Sequence, residues 1–184
     1  MRANPCTCRA PATRSDASTL INFDHPANRD VLSYLGAPER LRRSVSAAAF
    51  REECSPEEIA DPYNKLGTHP DLAMRLWDEL ARGLPADCRR VVFGTPALVR
   101  PDSGVVFGFA GGTHTYALRL PPDVREAALS AGATTVHHYP AYPELGIQAS
   151  VLDLRDVGGE WIFGGWFVSE HEWCSAAYEY AGGC

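Results

Sequence analysis

The chain has 184 residues, 45% of them hydrophobic and 22% charged, with a net charge of −6 and a pI near 5.5. That length suits one well-filled core plus a tail, and the composition excludes a wholly disordered chain. The acidic balance disfavours nucleic acid as a general partner, since affinity for phosphate rests on clustered Lys and Arg. Lys65 is the sole lysine, and we read the arginine bias as coding preference.

Residues 1–19, rich in Arg, Ala, Pro, Ser and Thr, have nothing to bury and read as a disordered tail. Residues 20–184 read as a single α+β domain. Its first part, about 28–83, is a helical region. Asn28 is placed to cap a short helix carrying Val31, Leu32 and Leu35, with Gly36 ending it. A second helix opens at Pro38, with Leu41, Val45, Ala48 and Ala49 at helical spacing, and Ser55-Pro56-Glu57-Glu58 starts a third that Asp61-Pro62 stops. The clearest helix is capped by Thr68. It carries a stripe of Leu72, Leu76 and Leu80 widened by Ala73 and Trp77, and Gly83 ends it.

From about 88 to 181 the pattern predicts an antiparallel sheet with helices packed against it. "RRVVFG", "PALVR", "VVFGFA" and "THTYALRL" read as four strands joined by tight turns. In the last of these, His114, Tyr116, Leu118 and Leu120 share one face, expected to meet the core, while Thr113, Thr115, Ala117 and Arg119 share the other. A helix follows over "PPDVREAALSAG", then strands in "TTVHH", "ASVLDL" and "EWIFGGWFV". Ser169-Glu170-His171-Glu172 reads as a capping box. It opens a final helix whose buried stripe is Trp173, Ala176, Ala177 and Tyr180.

The segments "GVVFGFA", "TYALRLPPDVREAALSAG", "HHYP", "EWIFGGW" and "AAYEYA" follow an order similar to that of small bacterial α+β proteins of the YjbR/MmcQ type, whose plan resembles the N-terminal domain of the competence regulator TfoX. The resemblance covers residues 88–181. It implies the fold and carries over no catalytic residue. Val105 stands where the family has lysine after the hairpin glycine, and the lysines near the Trp strand are absent, which weakens the nucleic-acid role suspected for that family.

Candidate chemistry is sparse. Neighbouring His137 and His138 on a strand point to opposite faces, so the pair does not readily ligate one metal, and Cys6 and Cys8 lack partner ligands. No metal and no cofactor is expected, for no G-x-G-x-x-G or P-loop pattern occurs. The six cysteines read as free thiols of a soluble, cytoplasmic protein, because neither a signal-peptide core nor a membrane span is present. The candidate binding residues are His114 and Arg119 beside the glycine turn, His138 and Tyr142 in "HHYPAY", and Trp166 in "FGGWF". The reading is a non-enzymatic binding or interaction module for a protein or small-molecule partner. Two rivals are a small enzyme using His114, His138 or Cys174, and a nucleic-acid binder with Arg89, Arg90, Arg100 and Arg119 in a strip.

Overall fold

The structure, a computed structural model, describes residues 21–36, 68–111, 115–139, 141, 143–145, 149–165, 167 and 169–184. The tail at 1–19 and the helices expected from Pro38 and from Ser55 lie outside the described residues. The elements are α1 (Arg29–Leu35), α2 (Pro70–Met74, continued by a π-helical stretch Arg75–Leu80), β1 (Arg89–Val92), β2 (Thr95–Val99), β3 (Val106–Gly111), β4 (Thr115–Arg119), α3 (Pro122–Ser130), β5 (Val136–Tyr139), β6 (Ser150–Asp153), β7 (Trp161–Gly164) and α4 (Glu170–Gly182). The class is α+β, as the alternating and helical periods predict. No helix among the described residues is long and apolar enough to cross a membrane.

Five strands form one antiparallel sheet in the order β1-β2-β3-β4-β7, and β5 pairs with β6 in a separate two-stranded ribbon. β1 and β2 are joined by Phe93 and Gly94, with φ of 49° and 76°, the paired left-handed conformation of a two-residue hairpin turn. The ribbon is tied to the free side of β7 by a single bridge, in which Thr134 and Phe163 exchange backbone hydrogen bonds of 2.6 and 3.3 Å.

Both faces of the sheet are covered, which differs from the one-sided core expected for β4. On one face Leu98, Phe107, Tyr116, Leu118 and Ile162 pack with Leu72, Leu76, Trp77 and Leu80 of α2 and with Trp173 and Ala177 of α4. On the other, Ala97, Val99, Val106, Phe109, Ala117, Trp161 and Phe163 pack with Val31, Leu32 and Leu35 of α1, with Ile21, and with Leu154 and Val157. Strands buried on two sides carry apolar residues at both parities, as "ALV" and "VVF" do here. Thr115, Ala117 and Arg119 therefore lie inside rather than toward solvent.

Of three expected caps, two find tertiary partners instead and one forms no cap bond. Asn28 makes no side-chain cap bond; it is fully buried, donating through Nδ2 to the carbonyls of Asn22 (2.7 Å) and Gly104 (2.8 Å) and accepting at Oδ1 from the Val106 amide (2.9 Å). Thr68 donates to the Ala110 carbonyl at 3.4 Å, and the cap of α2 is His69, whose Nδ1 accepts from the Asp71 amide at 3.2 Å. Ser169 makes no side-chain cap bond, so the predicted capping box does not form. The buried stripe of α4 is Glu170, Trp173, Cys174, Ala177 and Ala181, one step around the helix from the expected one, with Tyr180 half-buried at its margin. The far end of α4 is held by the β2–β3 turn. Arg100 donates to the Tyr178 carbonyl at 2.8 Å and Ser103 to the Ala181 carbonyl at 2.9 Å, satisfying acceptors that a helix C-terminus leaves open.

Candidate functional site

The connection from α3 to the β5–β6 ribbon turns sharply at Gly132, whose φ of 108° suits glycine, and then runs along the free side of β7. Beyond Phe163 the strand ends in Gly164 and Gly165. Between these two paths lies an open cleft of about 220 Å³, lined by Thr115, Gly132, Thr134, His137, Phe163, Gly164, Gly165 and Phe167. His137 reaches it because it sits opposite Leu152 in the ribbon and meets Phe163 edge-on, with ring centroids 6.1 Å apart and planes at 63°. Phe167 is fixed from behind by Trp173, 5.6 Å away between centroids.

The hydroxyls on the wall are oriented by backbone. Thr134 donates to the Val136 carbonyl at 3.0 Å, and Thr115 to the Gly111 carbonyl at 3.4 Å. Among the described lining residues His137 is the one titratable side chain.

Behind Gly164 lies a buried polar cluster. Tyr116 is paired with Gly164 across β4 and β7, and its ring lies where a Cβ at residue 164 would stand. The carboxylate of Glu170, 1% exposed, forms an ion pair with Arg75 at the start of the π-helical stretch, and Arg75 also pairs with Glu79 at 2.8 Å. The Tyr116 hydroxyl and Glu170 Oε1 make no hydrogen bond of good geometry. Burial first, then the hydrogen-bonding and charge influence of Glu170, hold the tyrosine proton on far above the usual phenol range. This cluster joins α2, β4 and α4.

The residues singled out from sequence are dispersed. Arg119 lies at the opposite end of the β4–β7 pairing, beside Trp161, and is 7% exposed. Its guanidinium pairs with Glu160 at 2.5 Å, and Glu160 in turn accepts from the Tyr180 hydroxyl at 2.6 Å. That bond to Glu160, with burial second, pushes the Tyr180 phenol up to about 12. His138 is exposed on the outer side of the ribbon opposite Val151, so the cleft receives its neighbour His137. His114, Tyr142 and Trp166 lie outside the described residues. Thr115 and Thr134 carried no signal in the sequence, whereas Phe163, Gly164, Gly165 and Phe167 all belong to the "FGGWF" stretch that supplied the candidate Trp166. Trp161, at the start of the same strand, belongs to the core on the α1 face.

Cys88 and Cys174 are free thiols fully buried in the core. Burial, with a smaller contribution from Asp87, pushes Cys88 up to about 12, and burial, with a smaller contribution from Cys88, does the same for Cys174. A thiol held protonated and sealed from solvent is a poor nucleophile at neutral pH. The arginines form no open strip. Arg89 faces Asp78 at 3.8 Å, Arg90 is buried and donates to the Arg89 carbonyl at 2.9 Å, and Arg100 binds Asp102 through two nitrogens at 2.7 and 3.0 Å while stacking 3.9 Å over the Tyr178 ring. Among the described residues no group of three or more His, Cys, Asp or Glu is arranged to hold a metal ion.

Comparison with protein-family models, with curated proteins and with solved structures found no match to this chain.

Proposed function

We propose that the protein is a non-enzymatic binding module that holds a small molecule in the cleft between β7 and the β5–β6 ribbon. One observation carries the reading: two sequence stretches far apart, around His137 and around Gly164-Gly165, meet with Thr115 on a single concavity of about 220 Å³. Such concavities, apolar walls with a few convergent polar groups, are the common form of ligand sites. The buried thiols and the paired arginines supply neither an activated nucleophile nor an open cationic surface, which favours binding over catalysis and over nucleic acid. The α+β order from Gly104 onward supports, within the same proposal, kinship with the YjbR/MmcQ type. The reduced core thiols support a cytoplasmic setting.

A fragment library screened by amide chemical-shift perturbation tests this. Hits are expected to move Thr115, Thr134, His137, Gly164 and Gly165, and to be recovered unchanged by mass spectrometry. Gly165→Leu should abolish them, because a Cβ there meets no atom within 4 Å and the added side chain starts into open space. Hits that cluster elsewhere and survive Gly165→Leu would refute the assignment, and turnover of a bound fragment would refute the non-enzymatic part.

A further inference from the structure

We infer that the α1 layer is held by an acid-sensitive latch, which opens when the ring of His25 takes up a second proton, whereas α2, capped in the same way by His69, keeps its hold because Asp71 receives the charge. Two stretches of the chain open alike. His25-Pro26 starts a 3-10 turn, Pro26–Asn28, that runs into α1, and His69-Pro70 starts α2. Both histidines have extended backbone, with φ and ψ of −67° and 128° for His25 and of −59° and 136° for His69. Both place Nδ1 where it accepts from the amide two residues on, at 3.2 Å in each case.

Such a bond requires the ring proton to be on Nε2, and a second proton turns the acceptor into a donor facing another donor. The unfolded chain takes that proton freely, around pH 6.5 for an ordinary imidazole, while the folded chain takes it only by giving up the bond. The contribution of the bond is complete above about pH 7.5 and is lost as pH falls toward about 5.

The surroundings separate the two caps. The His69 side chain is 49% exposed, and Asp71 Oδ2 lies 3.8 Å from its Nδ1, so a charged ring exchanges the cap bond for an ion pair. His25 is half-buried, and among the described residues no carboxylate stands within 4 Å of its ring nitrogens. The charged residues of its own segment are Asp24, Arg29 and Asp30. On the β2–β3 turn that carries Gly104 they are Arg100 and Asp102, bonded to each other, and on the stretch against α1 they are Asp153 and Arg155, also bonded to each other, and Asp156. The His25 bond holds more than a turn. It fixes the segment from which Asn28 reaches the Gly104 carbonyl and the Val106 amide, and α1 then carries Val31, Leu32 and Leu35 over Val106, Phe109 and Ala117. Releasing His25 loosens the cover of this face while the α2 face stays shut.

The test is amide hydrogen exchange of the full chain, read as protection factors at about pH 7.5 and about pH 5.5. Ala27, Asn28 and Val106 are expected to lose protection about three- to tenfold on acidification, the worth of one cap or hydrogen bond, and Leu72 and Ala73 less than about twofold. In His25→Asn and His25→Ser, whose side chains cap at either pH, the loss at Val106 should vanish. In Asp71→Asn a loss should appear at Leu72 and Ala73. An undiminished loss at Val106 in both His25 variants overturns the latch, as does equal loss at Ala27 and Ala73 in the unaltered chain. No loss at Leu72 and Ala73 in Asp71→Asn overturns the role given to Asp71.

Discussion

Replacing Gly164 by alanine should destabilise the protein although alanine is the milder residue for a strand. An added Cβ would stand 2.6 Å from Tyr116 Cε2 and from its hydroxyl oxygen, and 2.7 Å from Cζ. Carbon contacts at their optimum lie at about 3.5–4.0 Å, so the overlap is about 1 Å with three atoms of a ring that is itself 1% exposed. Tyr116 is flanked by Ala110 across β3 and lies over the Arg75–Glu170 pair, so the ring has little room to retreat. Overpacking of this kind costs about 1–3 kcal/mol, from which the lost freedom of glycine in the unfolded chain returns about 0.4–1 kcal/mol. We expect a net loss of about 1–2 kcal/mol in urea unfolding, or about 2–8 °C in Tm for a domain of this size. Gly165→Ala is the internal control, since nothing lies within 4 Å of its Cβ position, and it should change stability by less than about 0.5 kcal/mol. Combining Gly164→Ala with Tyr116→Phe, which removes one of the clashing atoms, should cost less than the sum of the two. A Gly164→Ala protein as stable as the unaltered one, or additivity with Tyr116→Phe, would refute the packing argument.

Glu170→Ala should cost about 1.5–3 kcal/mol, because it removes the buried carboxylate partner of Arg75 while leaving the bond to Glu79, and circular-dichroism melting would show it; a loss below about 0.5 kcal/mol would mean that the pair is solvated. Asn28→Ala should cost about 2–4 kcal/mol in urea unfolding by leaving the Val106 amide and the Gly104 carbonyl without their side-chain partner, whereas a simple helix cap would cost about 1 kcal/mol. Native thiol labelling followed by peptide mapping should modify Cys184 and spare Cys88 and Cys174. Since both buried thiols are raised from 9.0 to about 12 on folding, their contribution is complete below about pH 9 and is lost as pH rises toward 12, where the unfolded chain ionises and the folded one does not. Cys174→Ala should therefore flatten the alkaline fall of stability, measured by urea unfolding between pH 8 and about pH 10.5.

The strands and helices of the described residues, and their order, were legible from the sequence, because periods of two and 3.6 follow from backbone geometry wherever apolar residues face a core. Gly36 and Gly132 marked helix ends for the same local reason. The choice of hydrogen-bond partner was not legible. Asn28, Thr68 and Ser169 are each chemically fit to cap a helix, yet a cap and a tertiary hydrogen bond are both worth about 1 kcal/mol, so whichever acceptor the fold brings closest prevails. Asn28 found the β3 backbone and Thr68 the Ala110 carbonyl, while Glu170, read within a capping box, turned inward to Arg75. Covering both faces of β4 likewise required knowing that α1 and α2 flank the sheet on opposite sides. The histidines show the division most plainly: alternation along β5 determines that His137 and His138 point apart, while only the bridge between Thr134 and Phe163, which sets the ribbon against β7, decides that His137 faces the cleft and His138 the solvent.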